Sequence, residues 1–251
     1  MATRKPVTAG SNPVPEIAEG KRRYRKVNNM MVPYKEPDYS QAVIPWSQSR
    51  RIGQAYVSMP HHDPEALPAY HAMREETGRQ FDFLTRPRSR GGLGIDVSVH
   101  DTDPYPSTGR IEDLYPELAH DVREHGHIGV LSTRSTGGHP VFTNDENDQF
   151  RAVHDVFGHL GSGRSVDAHG EDAAFQAHAS MYSPLARRAM ATETRGQNAA
   201  LHLTGEFQPQ KVGVLPAKYQ RPTNLQPLQF EDPEQLQAEG RAENIKHGVI
   251  E

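Results

Sequence analysis

Proline decides where this chain can grow long regular elements. Its 20 prolines among 251 residues crowd toward both ends, and a proline inside a helix removes a hydrogen bond and clashes with the preceding turn. In "VPYKEPDYSQAVIPW" (residues 32–46) no uninterrupted apolar face develops, so residues 1–60 read as an extended proline-rich N-terminal arm. Residues 61–216 read as a single α+β metal-binding domain, and residues 217–251, polar and again rich in proline, as a C-terminal tail or short exposed helix.

Within the domain, Asp63 can cap a helix that starts at Pro64 and buries Tyr70, Met73, Phe81 and Leu84. Ile95, Val97 and Val99 alternate as in a half-buried strand. Ile111, Leu114, Tyr115, Leu118 and Val122 share one face of a helix that stops at Gly126. "HIGVLST" and "HPVFTN" read as two strands joined through "RSTGG". From Asn147 onward the pattern is helical, with Phe150, Val153, Phe157 and Leu160 facing inward and two alanine-rich helices following. The fold class expected is therefore α+β, with a small sheet in the first half and helices in the second.

Composition excludes several chemistries. With no cysteine, thiolate catalysis, disulfides and Cys-ligated zinc or iron–sulfur clusters are ruled out, and any metal must be held by His, Asp and Glu. A net charge of -4 gives no field that selects nucleic acid, although "KRRYRK" (residues 21–26) is a local basic cluster that could touch it. No apolar run reaches bilayer length and the start has no secretory core, so no membrane partner and a cytoplasmic location are expected. His-Glu-x-x-His and glycine-rich phosphate loops are both missing.

The stretch "RAVHDVFGHLGSG" (residues 151–163) carries the strongest chemical signal. His154 and His159 are five residues apart, which on an α-helix is about 500° of rotation and leaves the rings diverging by about 140°. Gly158 offers a way out, because a helix that ends or loosens there can swing His159 back toward His154. Two histidines and one carboxylate on one face form the triad that non-haem Fe(II) enzymes use, with open positions for O2 and substrate. Glu193 is the carboxylate chosen, with Glu171 as the alternative. Asp155 could orient an imidazole through its second ring nitrogen. Glu171 and His178 lie two helical turns apart on one face across the small Ala174, and His178 and Arg195 are the candidates for placing a substrate.

"HDVFGH", followed by "TE" in a later helix, resembles the iron-binding pattern of the pterin-dependent aromatic amino acid hydroxylases. That resemblance implies His154, His159 and Glu193 as iron ligands and O2-dependent hydroxylation as the reaction class. A wider block, "FRAVHDVFGH", "GEDAAFQAHASMYSPLARRAM", "TETRGQN" and "QKVGVLP", resembles a family of uncharacterised proteins encoded by bacteriophages and prophages, which implies a viral setting and a small-molecule or phage- or host-derived substrate. The expectation is thus a mononuclear Fe(II) oxygenase with an organic co-substrate left open. A zinc or manganese hydrolase using the same site is the alternative, and a non-enzymatic phage structural or host-interaction protein is the third reading.

Overall fold

The computed structural model describes residues 13–33, 35–39, 42–105, 114–221 and 233–248. It is a mainly helical α+β fold with one small two-stranded sheet, covered by α4 and α5 on the β2 side. In chain order the elements are α1 (Pro15–Val27), α2 (Trp46–Ser58), α3 (Leu67–Thr85), β1 (Asp96–His100), α4 (Leu114–His125), β2 (His127–Leu131), α5 (Asn144–His154), α6 (Ala168–Ala179), α7 (Ala186–Ala191), α8 (Gln197–Thr204) and α9 (Pro233–Lys246). β1 and β2 run parallel in register from Asp96 opposite His127 to His100 opposite Leu131, with α4 as the crossover between them. Among the described residues no helix is long and apolar enough to cross a membrane.

The N-terminal region departs from the extended arm expected. Residues 15–27 and 46–58 are helices, because Pro15 stands at a first helical position and Pro45 immediately before one, where a missing N–H costs nothing. Both helices are packed into the core through Ile17, Tyr24, Ile52 and Tyr56. The added Cβ of any other residue at Gly53 would sit 2.4 Å from the Ala199 carbonyl oxygen, so glycine lets α2 approach α8 backbone to side. Lys211 Nζ donates to the carbonyls of Tyr56, Val57 and Met59 at 2.7–3.0 Å, satisfying the end of α2. The basic cluster is largely consumed by this packing, since Lys21 and Arg25 are each 2% exposed. Trp46 is more than half exposed and meets the rings of His169 and His202 at its edge rather than plugging the core.

The strand expected at "HPVFTN" does not form. The His139 ring Nδ1 accepts from the backbone N–H groups of Val141 and Phe142, and Pro140 supplies no donor, so the segment is a turn held by its own side chain. Ile111 lies outside the described residues; Leu114, Tyr115, Leu118 and Val122 do lie on α4 as expected. The C-terminal segment after Pro233 is helical and lies against α1: Glu239 pairs with Lys26, and Asn244 donates to the Val27 carbonyl.

Helix α5 positions the histidines. Thr143 and Glu146 form a reciprocal capping box at its start. Asp148 accepts from the Thr133 N–H and hydroxyl, which pins the first turns to the end of β2. Phe150, Val153, Phe157 and Leu160 then face the core.

Candidate metal centre

α5 does not stop at Gly158. Residues Asp155–Leu160 continue it as a π-helical turn, whose i→i+5 hydrogen bonds widen the helix and bring residues five apart onto one side. His154 and His159 thus meet with ring centroids 5.2 Å apart, which a regular α-helix forbids. Gly158 is what the widened turn needs: a Cβ there would lie 3.1 Å from the Ala174 carbonyl oxygen and 3.2 Å from the Ala174 Cβ. Ala174 therefore makes room for the backbone of the turn, and α6 comes close enough to deliver Glu171.

One ligand atom from each of His154, His159 and Glu171 lies within 4.8 Å of the others. The Glu171 carboxylate faces both rings, with Oε2 3.7 Å from His154 Nε2 and Oε1 3.7 Å from His159 Nε2. These separations exceed a hydrogen bond and leave His154 Nε2 buried with no hydrogen-bond partner among the described residues.

The tautomers follow from the partners on the far side of each ring. Gln80 donates its amide to the Met181 carbonyl, so its Oε1, 2.8 Å from His178 Nε2, accepts from that nitrogen. His178 Nδ1 is then the acceptor for His154 Nδ1–H at 3.2 Å, leaving the His154 Nε2 lone pair aimed at Glu171. Complete burial, reinforced by the charge of His154, pushes the His178 pKa well below its usual value and keeps that ring neutral. On the other ring, His159 Nδ1 donates to the Arg164 carbonyl at 3.0 Å, which frees its Nε2 in the same way. Two lone pairs and a carboxylate converging on a gap are the donor set of a divalent metal, each imidazole oriented through its second nitrogen. Burial alone would raise the Glu171 carboxyl, but the facing imidazoles of His159 and His154, which favour its charged form when protonated, hold it below its usual range. The centre thus calls for positive charge, from protons on the imidazoles or from a cation.

The other residues singled out from sequence lie elsewhere. Glu193, expected as the third ligand, sits in a second π-helical turn, Thr192–Gly196, and its carboxylate turns toward α3. It accepts from Tyr70 and Gln197 at 2.6 Å each and faces His139 Nε2 at 3.3 Å. Arg195, expected to place a substrate, is buried under Phe175: its Nε donates to Asp172 at 2.7 Å and its Nη1 to the Tyr219 and Arg221 carbonyls at 2.8 Å. It clamps α6 to the segment after α8. His178 is fully buried behind His154 and does not line the cavity described below. Asp155 orients neither imidazole, those places being held by His178 and the Arg164 carbonyl. It lies on the cavity wall instead, its carboxyl pushed up to about 6 by burial, with His159 opposing and Glu171 adding to the shift.

A cavity of about 540 Å³ opens onto the centre. His154, Asp155 and Glu171 form part of its wall, with Phe150, Leu118 and Leu201 supplying apolar surface and Arg151, Glu193 and Gln197 polar groups. That size and mixture suit a small organic molecule. Gln80 and the Arg164 carbonyl are the partners that sequence reasoning missed. Gln80 lies 98 residues before the histidine it fixes, and no local pattern marks it.

The chain matches no protein-family model, no curated protein and no solved structure.

Proposed function

We propose that this protein is a mononuclear metal-dependent enzyme in which His154, His159 and Glu171 hold Fe(II), and that it carries out an O2-dependent hydroxylation or related oxidation of a small organic substrate. The observation that carries this reading is the buried, unpartnered Nε2 of His154, set by the Gln80–His178 relay to face a carboxylate that a second freed imidazole also faces. Three protein ligands leave up to three positions open, and when bound the metal would supply O2 binding and activation there. The chain's own residues do the rest: Phe150, Leu118 and Leu201 give the cavity an apolar wall for the substrate's carbon skeleton, and Arg151, Glu193 and Gln197 offer charge and hydrogen bonds that orient a polar substrate. The resemblance to the aromatic amino acid hydroxylases in "HDVFGH" supports iron, with Glu171 in the role first given to Glu193.

A hydrolytic reading at the same centre is favoured by one observation, the Asp155 carboxyl on the cavity wall next to the triad, where it could take a proton from a water activated by zinc or manganese. Anaerobic purification followed by elemental mass spectrometry separates the two. About one iron per chain, lost in His154→Ala and Glu171→Ala variants that still fold, supports the oxygenase. Zinc or manganese at that stoichiometry moves hydrolysis ahead, and a metal-free wild type after growth in metal-replete medium overturns both.

A further inference from the structure

A second constellation lies on the small sheet; its Tyr105 and Gly129 line the cavity that His154 and Glu171 also line, but Ser98, His127 and Asp121 do not. β1 and β2 pair Ser98 with Gly129, so Ser98, His100 and His127 stand on the same face. The inner face of the pair carries the buried Ile128 and Val130. On the outer face Ser98 Oγ is 2.8 Å from His127 Nε2, and His127 Nδ1 is 2.8 Å from Asp121 Oδ2, on the last turns of α4.

The protons in this chain can be assigned. Asp121 accepts from the Tyr105 hydroxyl at 2.7 Å and faces His125 Nδ1 at 3.0 Å; the Tyr105 oxygen in turn accepts from the Gly129 N–H at 2.8 Å. Burial would raise the Asp121 carboxyl, but these hydrogen bonds, with that of His127, hold it below its usual range, so it is ionised. In its neutral form His127 donates through Nδ1 to Asp121, its Nε2 carries the lone pair, and Ser98 donates its only hydroxyl proton to that nitrogen. His100 Nε2, 2.6 Å from Ser98 Oγ, must then be the donor to the serine oxygen, turning its proton toward His127. The His127 side chain is 34% exposed, so solvent and a solute can reach the pair.

We propose that Ser98, His127 and Asp121 form a nucleophile–base–carboxylate triad that hydrolyses small, uncharged carboxylic esters, independently of the metal centre. Ser98 Oγ attacks the ester carbonyl carbon as its proton passes to His127 Nε2; the bond to the alcohol oxygen breaks and His127 returns the proton to that oxygen. Water then attacks the acyl-serine by the same route and frees the acid, with Asp121 holding the imidazole in the required tautomer throughout. The Asp96 N–H donates to Gly126 and the His100 carbonyl accepts from Ser132, so even-numbered residues of β1 face β2. The N–H of Val99 consequently points along the other edge, which pairs with no strand among the described residues and offers a donor to the developing oxyanion. One such donor on an open face suits esters, whose alkoxide leaves more readily than the nitrogen of an amide.

The test uses the full chain after chelator treatment, which silences the metal centre. Turnover of p-nitrophenyl acetate is measured in wild type, Ser98→Ala and His127→Ala, and wild type is labelled with a fluorophosphonate probe and mapped by peptide mass spectrometry. The expected result is label on Ser98 in native protein but not in heat-denatured protein, with a loss of about 100-fold or more in both variants. Absence of label on Ser98 in the native wild type, or wild-type turnover by a folded Ser98→Ala, overturns the proposal and leaves the network as a tie between α4 and the sheet. Should either variant fail to fold, the native-against-denatured labelling decides alone.

Discussion

Gln80 and His154 never touch, yet the Gln80 carbonyl oxygen determines which nitrogen of His154 is free, because His178 stands between them and hydrogen-bonds both. A Gln80→Leu substitution strips His178 of its acceptor and lets its proton settle on Nδ1, against His154. Metal affinity should fall about 10- to 100-fold, the usual effect of losing a group that orients a ligand. Competition titration with a chelating dye would measure it, and an unchanged affinity would mean that the relay does not set the His154 tautomer.

Glu171 and Glu193 are separable by substitution. Glu171→Ala should lose the metal by about 100-fold or more in affinity, because it removes a ligand rather than a support. Glu193→Gln keeps an acceptor for Tyr70 and Gln197 and should leave metal stoichiometry at the wild-type value. Elemental analysis of the two variants side by side gives the answer directly.

Gly158 is a position at which added bulk would disturb the centre directly. A valine there would push against the Ala174 carbonyl, the Ala174 methyl and the His154 ring, all within 3.2 Å of its first carbon. Overpacking of this kind costs about 1–3 kcal/mol. Thermal unfolding should show that loss, and metal content should drop with it because α6 carries Glu171.

Lys21, packed against Gly161 beside the centre, provides a pH test of stability. Burial, with the nearby charge of Arg25, pushes its ammonium well below the usual lysine value. In the unfolded chain the group holds its proton up to the ordinary range, so between the two values the unfolded state binds more protons and stability rises with pH. Lys21→Met should therefore be more stable than wild type at neutral pH, by about 1 kcal/mol or more. The advantage should shrink as pH rises toward the ordinary lysine range. Melting temperatures at pH 7 and pH 10 test the sign; an advantage that grows with pH would overturn it.

The histidine pair is legible in sequence because its two members sit in one helical stretch with a glycine between them, and local rules reach that far. The third ligand is not, since the choice between Glu171 and Glu193 depends on how closely α6 approaches the widened turn, a contact between backbone and an alanine that leaves no periodic trace. The same limit applies to Arg195, whose partners Asp172 and Tyr219 come from two other segments. In the N-terminal region the sequence shows prolines as helix breakers, whereas Pro15 and Pro45 stand where helices begin; residue type is visible, but its position relative to a helix start is set by packing against the core.

Two π-helical turns, one bearing His159 and the other Glu193, line or back the same cavity. Each is equivalent to one surplus residue inside an otherwise ordinary helix, and its hydrogen bonds are poorer than those of the α form. Removing a single residue such as Val156 would let α5 relax into a regular and locally more comfortable helix. The two histidines would then stand four residues apart, about 400° of α-helical rotation, and still share one face. The surplus residue thus sets the spacing of the two imidazoles and the width of the turn that meets Ala174, while the helix beyond it keeps its phase.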